Sequence, residues 1–276
     1  AGTENGEPIY YFRGDVDDNW VQFAGFYWRI IRTNSDGSIR MIYAGTDPNV
    51  TTGEGTQIGT SVFNAEYNAS YYVGFKYTSG LQHGVNVNST IMDMLNMWYT
   101  NNLASYAGQL TSGTGFCNDR EMASGYNWSV NPTPSSIIYH AVYERVLVNR
   151  SPLLDCNTTS DNFTTSGTGI GNGALQYPIG LITGDEVAMA GGKNAANQGY
   201  YLNTDQPYWT MSPYFVNASN TGTVQSTVQR VDAGGYINYA DANISTIGVR
   251  PVINLRSDVT ISSGDGTSSD PYVVET

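Results

Sequence analysis

Histidine and cysteine are almost absent from this chain of 276 residues, which has two of each: His83 and His140, Cys117 and Cys156. A structural zinc site, built from about four Cys or His ligands, is therefore not expected. Basic charge is scarce too. Against 24 Asp and Glu stand 12 Lys and Arg, a formal net charge of −12, and the basic residues form no run along the chain. No nucleic-acid partner is expected, since phosphate contacts need Lys and Arg concentrated on one face. The same deficit argues against docking on anionic lipid. No stretch of about eighteen apolar residues is present to span a membrane, so direct membrane insertion is not expected. A P-loop, a Gly-x-Gly-x-x-Gly opening a helix and a Gly-x-Ser-x-Gly elbow are also missing. The opening Ala1-Gly2-Thr3-Glu4 has no charged and apolar leader, and the expectation is that any signal peptide has been removed.

What is present is Asn, Ser, Thr, 31 Gly and 21 Tyr, on a hydrophobic fraction of 40% that can bury a sizeable core. Low charge, few Lys and abundant small polar residues suit an extracellular or cell-surface protein, or a virion surface. The expected state is a monomer without a cofactor or metal. In that setting Cys117 and Cys156 would pair, the alternative being two buried thiols; a disulfide is expected.

Several elements read locally. Residues 20–32 are rich in β-formers, Asp36-Gly37 supplies a turn, and residues 39–43 return, so a hairpin at the edge of the main sheet is expected. Residues 46–88 read as long ordered loops. Asn88 or Ser89 caps a helix whose Ile91, Met94, Leu95 and Trp98 share one face. A second helix is expected over 141–147, a polar loop over 157–172 and a short strand over 177–182. Thr183 and Glu186 have capping-box spacing, with Gly191 as a stop. Asp185 and Glu186 are then first-turn residues and not a catalytic pair, because adjacent helix positions point in different directions. Asp15, Asp17 and Asn19 alternate like the start of a calcium loop, but the Gly and Glu that would complete it are missing.

The most informative stretch is 200–255. Residues 208–213 and 247–255 read as buried β structure, with Trp209, Met211, Val249, Arg250 and Val252 as scaffold. Between them runs a polar, aromatic and aperiodic segment that cannot build a core and is expected to be displayed. The candidate ligand-binding residues are Tyr201, Asn203, Tyr214, Phe215, Asn217, Asn220, Tyr236, Asn238, Tyr239, Asp241 and Asn243. Tyr with Asn, Ser and Gly suits binding, since rigid aromatics supply contact area and small polar residues supply adaptable hydrogen bonds.

In chain order, Trp28-Arg-Ile-Ile-Arg32, the Asp-Gly turn, Phe116-Cys-Asn-Asp-Arg120, residues 178–187, Tyr208-Trp-Thr-Met-Ser-Pro213 and Gly248-Val-Arg-Pro-Val252 resemble a family of bacterial surface proteins. Its fold is of the C-type-lectin-like kind shared with formylglycine-generating enzymes. The resemblance implies an α+β domain over residues 1–256, two helices packed on an antiparallel β-sheet with long ordered loops. Residues 257–276 would lead to a following module or anchor. The Gly-Val-Arg-Pro close is also similar to that of variable proteins of diversity-generating retroelements, whose Asn and Tyr codons are scrambled. Such proteins are receptor-binding or adhesin molecules, and the implied partner is a protein or glycan on another cell surface. A fixed carbohydrate-binding module is the alternative, with a hydrolase or oxidase on the same fold a further one. The related enzymes use a Cys pair in the C-terminal core or three His ligands. This chain has no Cys after Cys156 and only two His, so a non-enzymatic role is expected.

Overall fold

Ala24 and Gly25, at φ 55° and 80°, divide the β-rich run at 20–32 into two strands, Trp20–Phe23 and Phe26–Thr33. Two consecutive left-handed residues match the twist of a tight hairpin, and Phe23 sits opposite Phe26. The turn is silent in the sequence because Ala-Gly lacks the Asn or Asp that usually marks it. The expected hairpin follows: Gly37 adopts φ 79° and the chain returns as Ile39–Gly45.

The computed structural model describes residues 1–167 and 170–276, so two positions of the expected 157–172 loop lie outside the described residues. The architecture is α+β, mostly strand. The first sheet runs Val252–Leu255, Ile39–Gly45, Phe26–Thr33, Trp20–Phe23, Tyr272–Val274, Ile261–Ser263. The 26–45 hairpin therefore lies inside the sheet and not at its edge, as its buried Trp28, Ile31, Met41 and Ile42 require. The boundary expected at residue 256 falls within this sheet: Tyr272–Val274 pairs in parallel with Trp20–Phe23, and Val274 joins the main core.

The second sheet runs Ile237–Asp241, Val224–Val231, Tyr208–Ala218, Ile247–Gly248, Thr60–Ser61, with Ser136–Tyr139 pairing the far half of Tyr208–Ala218. Here the structure corrects the sequence reading, since much of the aperiodic stretch after residue 213 is strand and contributes Val228, Val231 and Ile237 to the core. Two of the inward polar residues bond backbone carbonyls. Ser226 bonds the Ala69 carbonyl, and Thr210 donates to the Gln229 carbonyl at 2.9 Å.

Helix α1, Thr90–Asn102, starts at Ser89, whose hydroxyl accepts from Met92 N–H at 3.4 Å. It buries Ile91 and Leu95, and Trp98 packs on Phe26, Trp28 and Tyr43. Helix α2, Ala141–Tyr143, runs on as a π-turn through Glu144–Val148. Helix α3, Gly184–Ala190, has the complete Thr183/Glu186 capping box and ends at Gly191 with φ 129°. Residues 177–182 form no strand; only Gly180 bridges Val252. Arg250 is buried without a carboxylate. Its guanidinium donates to the carbonyls of Tyr43 (3.0 Å) and Leu202 (3.1 Å) and lies 4.8 Å from the centre of the Tyr208 ring. That lock ties both sheets to the Gly-Val-Arg-Pro segment.

Candidate functional site

Cys117 and Cys156 form a disulfide, which pins the 149–158 strap over two ion-pair groups. Burial pushes the Glu186 carboxyl up, but Arg40 and Arg32 outweigh it and hold it below the usual carboxylate range. The Nε atoms of these arginines lie 2.6 Å and 2.8 Å from its Oε1. Asp185 turns the other way, toward Arg145, with both oxygens at 2.8 Å. The cavity of about 110 Å³ between the two groups is lined by Arg32, Arg40 and Arg145 and by six carboxylates, of which Glu4, Asp119, Asp185 and Glu186 pair with those arginines.

The second sheet carries a different kind of surface. Between Pro213 and Val216 the register of the Tyr208–Ala218 strand shifts, and such an irregularity re-aims side chains. Tyr214 and Phe215, which alternation would send to opposite faces, both meet Tyr239, at ring-centre distances of 4.9 Å and 4.6 Å. Tyr143 of α2 packs on Tyr214 at 5.0 Å and stacks on Tyr139 at 4.2 Å; Tyr139 also meets Phe215 at 5.7 Å and Tyr126 at 5.7 Å. Six rings thus form one continuous aromatic face, open at Tyr126 and Tyr239 and half-buried at Tyr139, Tyr143 and Tyr214, while Phe215, expected to be exposed, is buried beneath its neighbours. Burial, with Tyr143, Tyr139 and Tyr239 adding to it, raises the Tyr214 phenol pKa, so the hydroxyl remains a neutral donor and acceptor at physiological pH.

A polar row borders the rings. Asn217 donates to Gln225 Oε1 at 3.3 Å, and Gln225 donates to Asp241 Oδ2 at 3.2 Å. Asn217 lies two residues beyond Phe215 and Asp241 two beyond Tyr239, so strand alternation puts row and rings on the same side. Burial pushes the Asp241 carboxyl up, partly opposed by Gln225.

Of the candidate residues, Tyr214, Phe215, Asn217, Tyr239 and Asp241 are brought together. Asn203, Tyr236 and Asn238 cluster instead around the 232–236 turn, where Asn238 bonds Asp232 at 3.1 Å and Asn203 bonds Asp205 at 2.9 Å. That turn needs Gly235: its φ is 74° and a Cβ there would lie 2.0 Å from the Asn197 carbonyl oxygen. Asn220 is exposed in the 219–222 turn, and Asn243 is half-buried in the turn after Asp241. Tyr201 corrects the expectation of exposure. It is 7% exposed in the main core, with the Arg29 guanidinium 5.2 Å from its ring centre, because the chain before Tyr208 is drawn under the first sheet. Sequence reading missed Tyr126, Tyr139, Tyr143 and Gln225. Only the Ile-Ile-Tyr run at 137–139 carried a strand signal.

His83 Nδ1 lies 3.0 Å from Asp161, and that hydrogen bond raises the imidazole pKa; Nε2 faces Glu121 at 3.7 Å. The third member of the alternating acidic motif, Asn19, is buried and accepts from Arg29 Nε at 2.5 Å. No group of three or more His, Cys, Asp or Glu poised to hold a metal occurs among the described residues. Nor is any helix among them long and apolar enough to cross a membrane. No family model, curated protein or solved structure matches the chain.

Proposed function

We propose that this protein is a non-enzymatic ligand-binding surface protein, a receptor-binding or adhesin molecule whose partner is a protein or glycan on another cell. The observation that carries this reading is the six-ring face bordered by Asn217, Gln225 and Asp241. Aromatic rings offer large contact area at low conformational cost, and the adjoining amides and carboxylate supply directional hydrogen bonds. The disulfide supports an extracellular location.

The finer form of the proposal is a C-type-lectin-like domain displaying a variable-type face. Its support is the Gly248-Val-Arg-Pro segment, fixed through Arg250, placed just after a strand and turn that present Tyr239, Asp241 and Asn243. Substitution on that outer side spares the core beneath it, as retroelement diversification requires. A near-copy of the coding segment differing only at adenines, beside a reverse transcriptase gene, would establish diversification; its absence leaves a fixed adhesin.

Binding itself is tested by flow cytometry of the fluorescently labelled protein on a panel of bacterial and host cells. The account expects saturable binding to at least one cell type, removed by protease or by periodate treatment of those cells. Uniform failure to bind, or turnover in a broad hydrolase and oxidase screen abolished by one point mutation, would overturn it.

A further inference from the structure

Most of the scarce cations are spent inside the protein. Arg29, Arg32, Arg40, Arg120 and Arg250 are buried, and Lys76, Arg145 and Arg230 are half-buried. Arg256 is exposed but bonded to Asp258 at 2.5 Å. The three that remain of the 12 are Arg13, Arg150 and Lys193. All three are exposed, none has a carboxylate partner among the described residues, and all three line one open pocket of about 450 Å³. No Asp or Glu lines it. The sequence shows no basic patch, because these residues are far apart along the chain; the fold makes one.

The cations are presented by fixed backbone. Arg13 reaches the end of α3, donating to the carbonyls of Ala188 (3.3 Å) and Met189 (2.9 Å) through one amino group. The carbonyl of Lys193 accepts from Ile237 N–H at 2.8 Å, and Ser151 N–H closes the π-turn on Arg145 at 2.7 Å beside Arg150. Val146, Leu147, Pro152 and Ala188 give the pocket an apolar wall.

We infer that this pocket binds an organic anion of about sugar size through a carboxylate, phosphate or sulfate group held by Arg13, Arg150 and Lys193. Guanidinium forks pair with such oxyanions in bidentate fashion and an ammonium adds a point charge. The volume lies within the range of roughly 300–1,000 Å³ typical of small-molecule sites, too large for an inorganic ion alone. On a surface of net charge −12, it is where an anion meets unneutralised positive charge. This site is independent of the aromatic face, although α2 and its π-turn contribute Tyr143 to one and Val146 and Leu147 to the other.

The test is NMR titration of the folded protein at about 20 mM salt, where screening is weak, with glucose 6-phosphate, glucuronate, glucose and inorganic phosphate as probes. The expected result is saturable shifts of the Gly191, Gly192 and Asn194 amides with glucose 6-phosphate, with glucuronate, or with both. Which anion binds more tightly separates a phosphate from a carboxylate ligand, glucose gives no shift, and phosphate binds more weakly than the preferred sugar anion. Arg150→Asn with Lys193→Gln, chosen because Asn tolerates the φ of 54° at position 150, should weaken binding about tenfold or more. Lys193→Glu should do the same, and Arg256→Gln should change nothing. Absence of saturable shifts with either sugar anion, shifts confined to other amides, or unchanged affinity in the folded variants would overturn the inference.

Discussion

The Thr227 hydroxyl closes a two-way link with the backbone of Phe215, donating to its carbonyl at 2.8 Å and accepting from its N–H at 3.1 Å. This link satisfies the register shift that lets Tyr214 and Phe215 both reach Tyr239, and Thr227 is small enough to sit between their strands.

Thr227→Val keeps the volume but removes both bonds, leaving buried backbone groups unpaired. The expected loss is about 1–3 kcal/mol in urea unfolding, with a changed near-ultraviolet spectrum from the tyrosines. An unaltered spectrum and a loss below about 0.5 kcal/mol would show that the hydroxyl does not hold the bulge.

Glu186→Gln should be among the most damaging conservative changes. Arg40, 1% exposed, would be left with a buried charge lacking its carboxylate, at a cost of about 3–5 kcal/mol. Denaturant titration measures it.

His140 has no exposed surface and neither ring nitrogen has a well-formed hydrogen bond. Burial lowers its pKa to about 4, and the opposing influence of Asp119 and the backbone of Arg120 and Glu121 does not cancel this. Below the unfolded value of about 6.5 the unfolded chain takes up a proton that the native state refuses. Stability present above pH 6.5 is therefore lost as pH falls toward 4, by roughly 3 kcal/mol from this group. In His140→Gln the loss between pH 7 and pH 4 should be smaller by that amount; identical pH profiles would contradict the assignment.

Reduction of Cys117–Cys156, or the double Ser variant, frees a loop whose ends are 39 residues apart. The loop-entropy estimate of the cost is about 4 kcal/mol, read as a fall in the urea midpoint in the presence of reductant.

What the sequence made legible was local chemistry: a helix cap at Asn88 or Ser89, of which the structure uses Ser89, Thr183 as a second cap, Asp36-Gly37 as a turn, and the cysteine pair. Ala24-Gly25 was hidden because an Ala occupied a left-handed position. The Val224–Val231 strand was hidden because Ser226, Thr227 and Gln229 are buried, with Ser226 and Thr227 bonding backbone carbonyls, which erases the apolar alternation. Half of the aromatic face was legible as a Tyr- and Asn-rich stretch. The other half, Tyr126, Tyr139 and Tyr143, arrives through antiparallel pairing of Ser136–Tyr139 with residues 215–218, a long-range contact with no local signature.

The most direct test of the binding face compares wild type with Tyr239→Ser/Asp241→Ala on the cell type that binds. Tyr239 is 41% exposed and touches two other rings, Tyr214 and Phe215, so the variant should lose only about 1 kcal/mol of stability. Trp209→Ala, at a buried indole bonded to the Ser61 carbonyl at 2.8 Å, should lose about 3–5 kcal/mol. The account predicts that the face variant, still folded, binds at least about tenfold more weakly, the loss of roughly 1.4 kcal/mol that removing an accessible ring and the carboxylate beside it should supply, while Asn220→Ala at the distant turn leaves Kd unchanged. Wild-type affinity in the folded Tyr239→Ser/Asp241→Ala variant would contradict it.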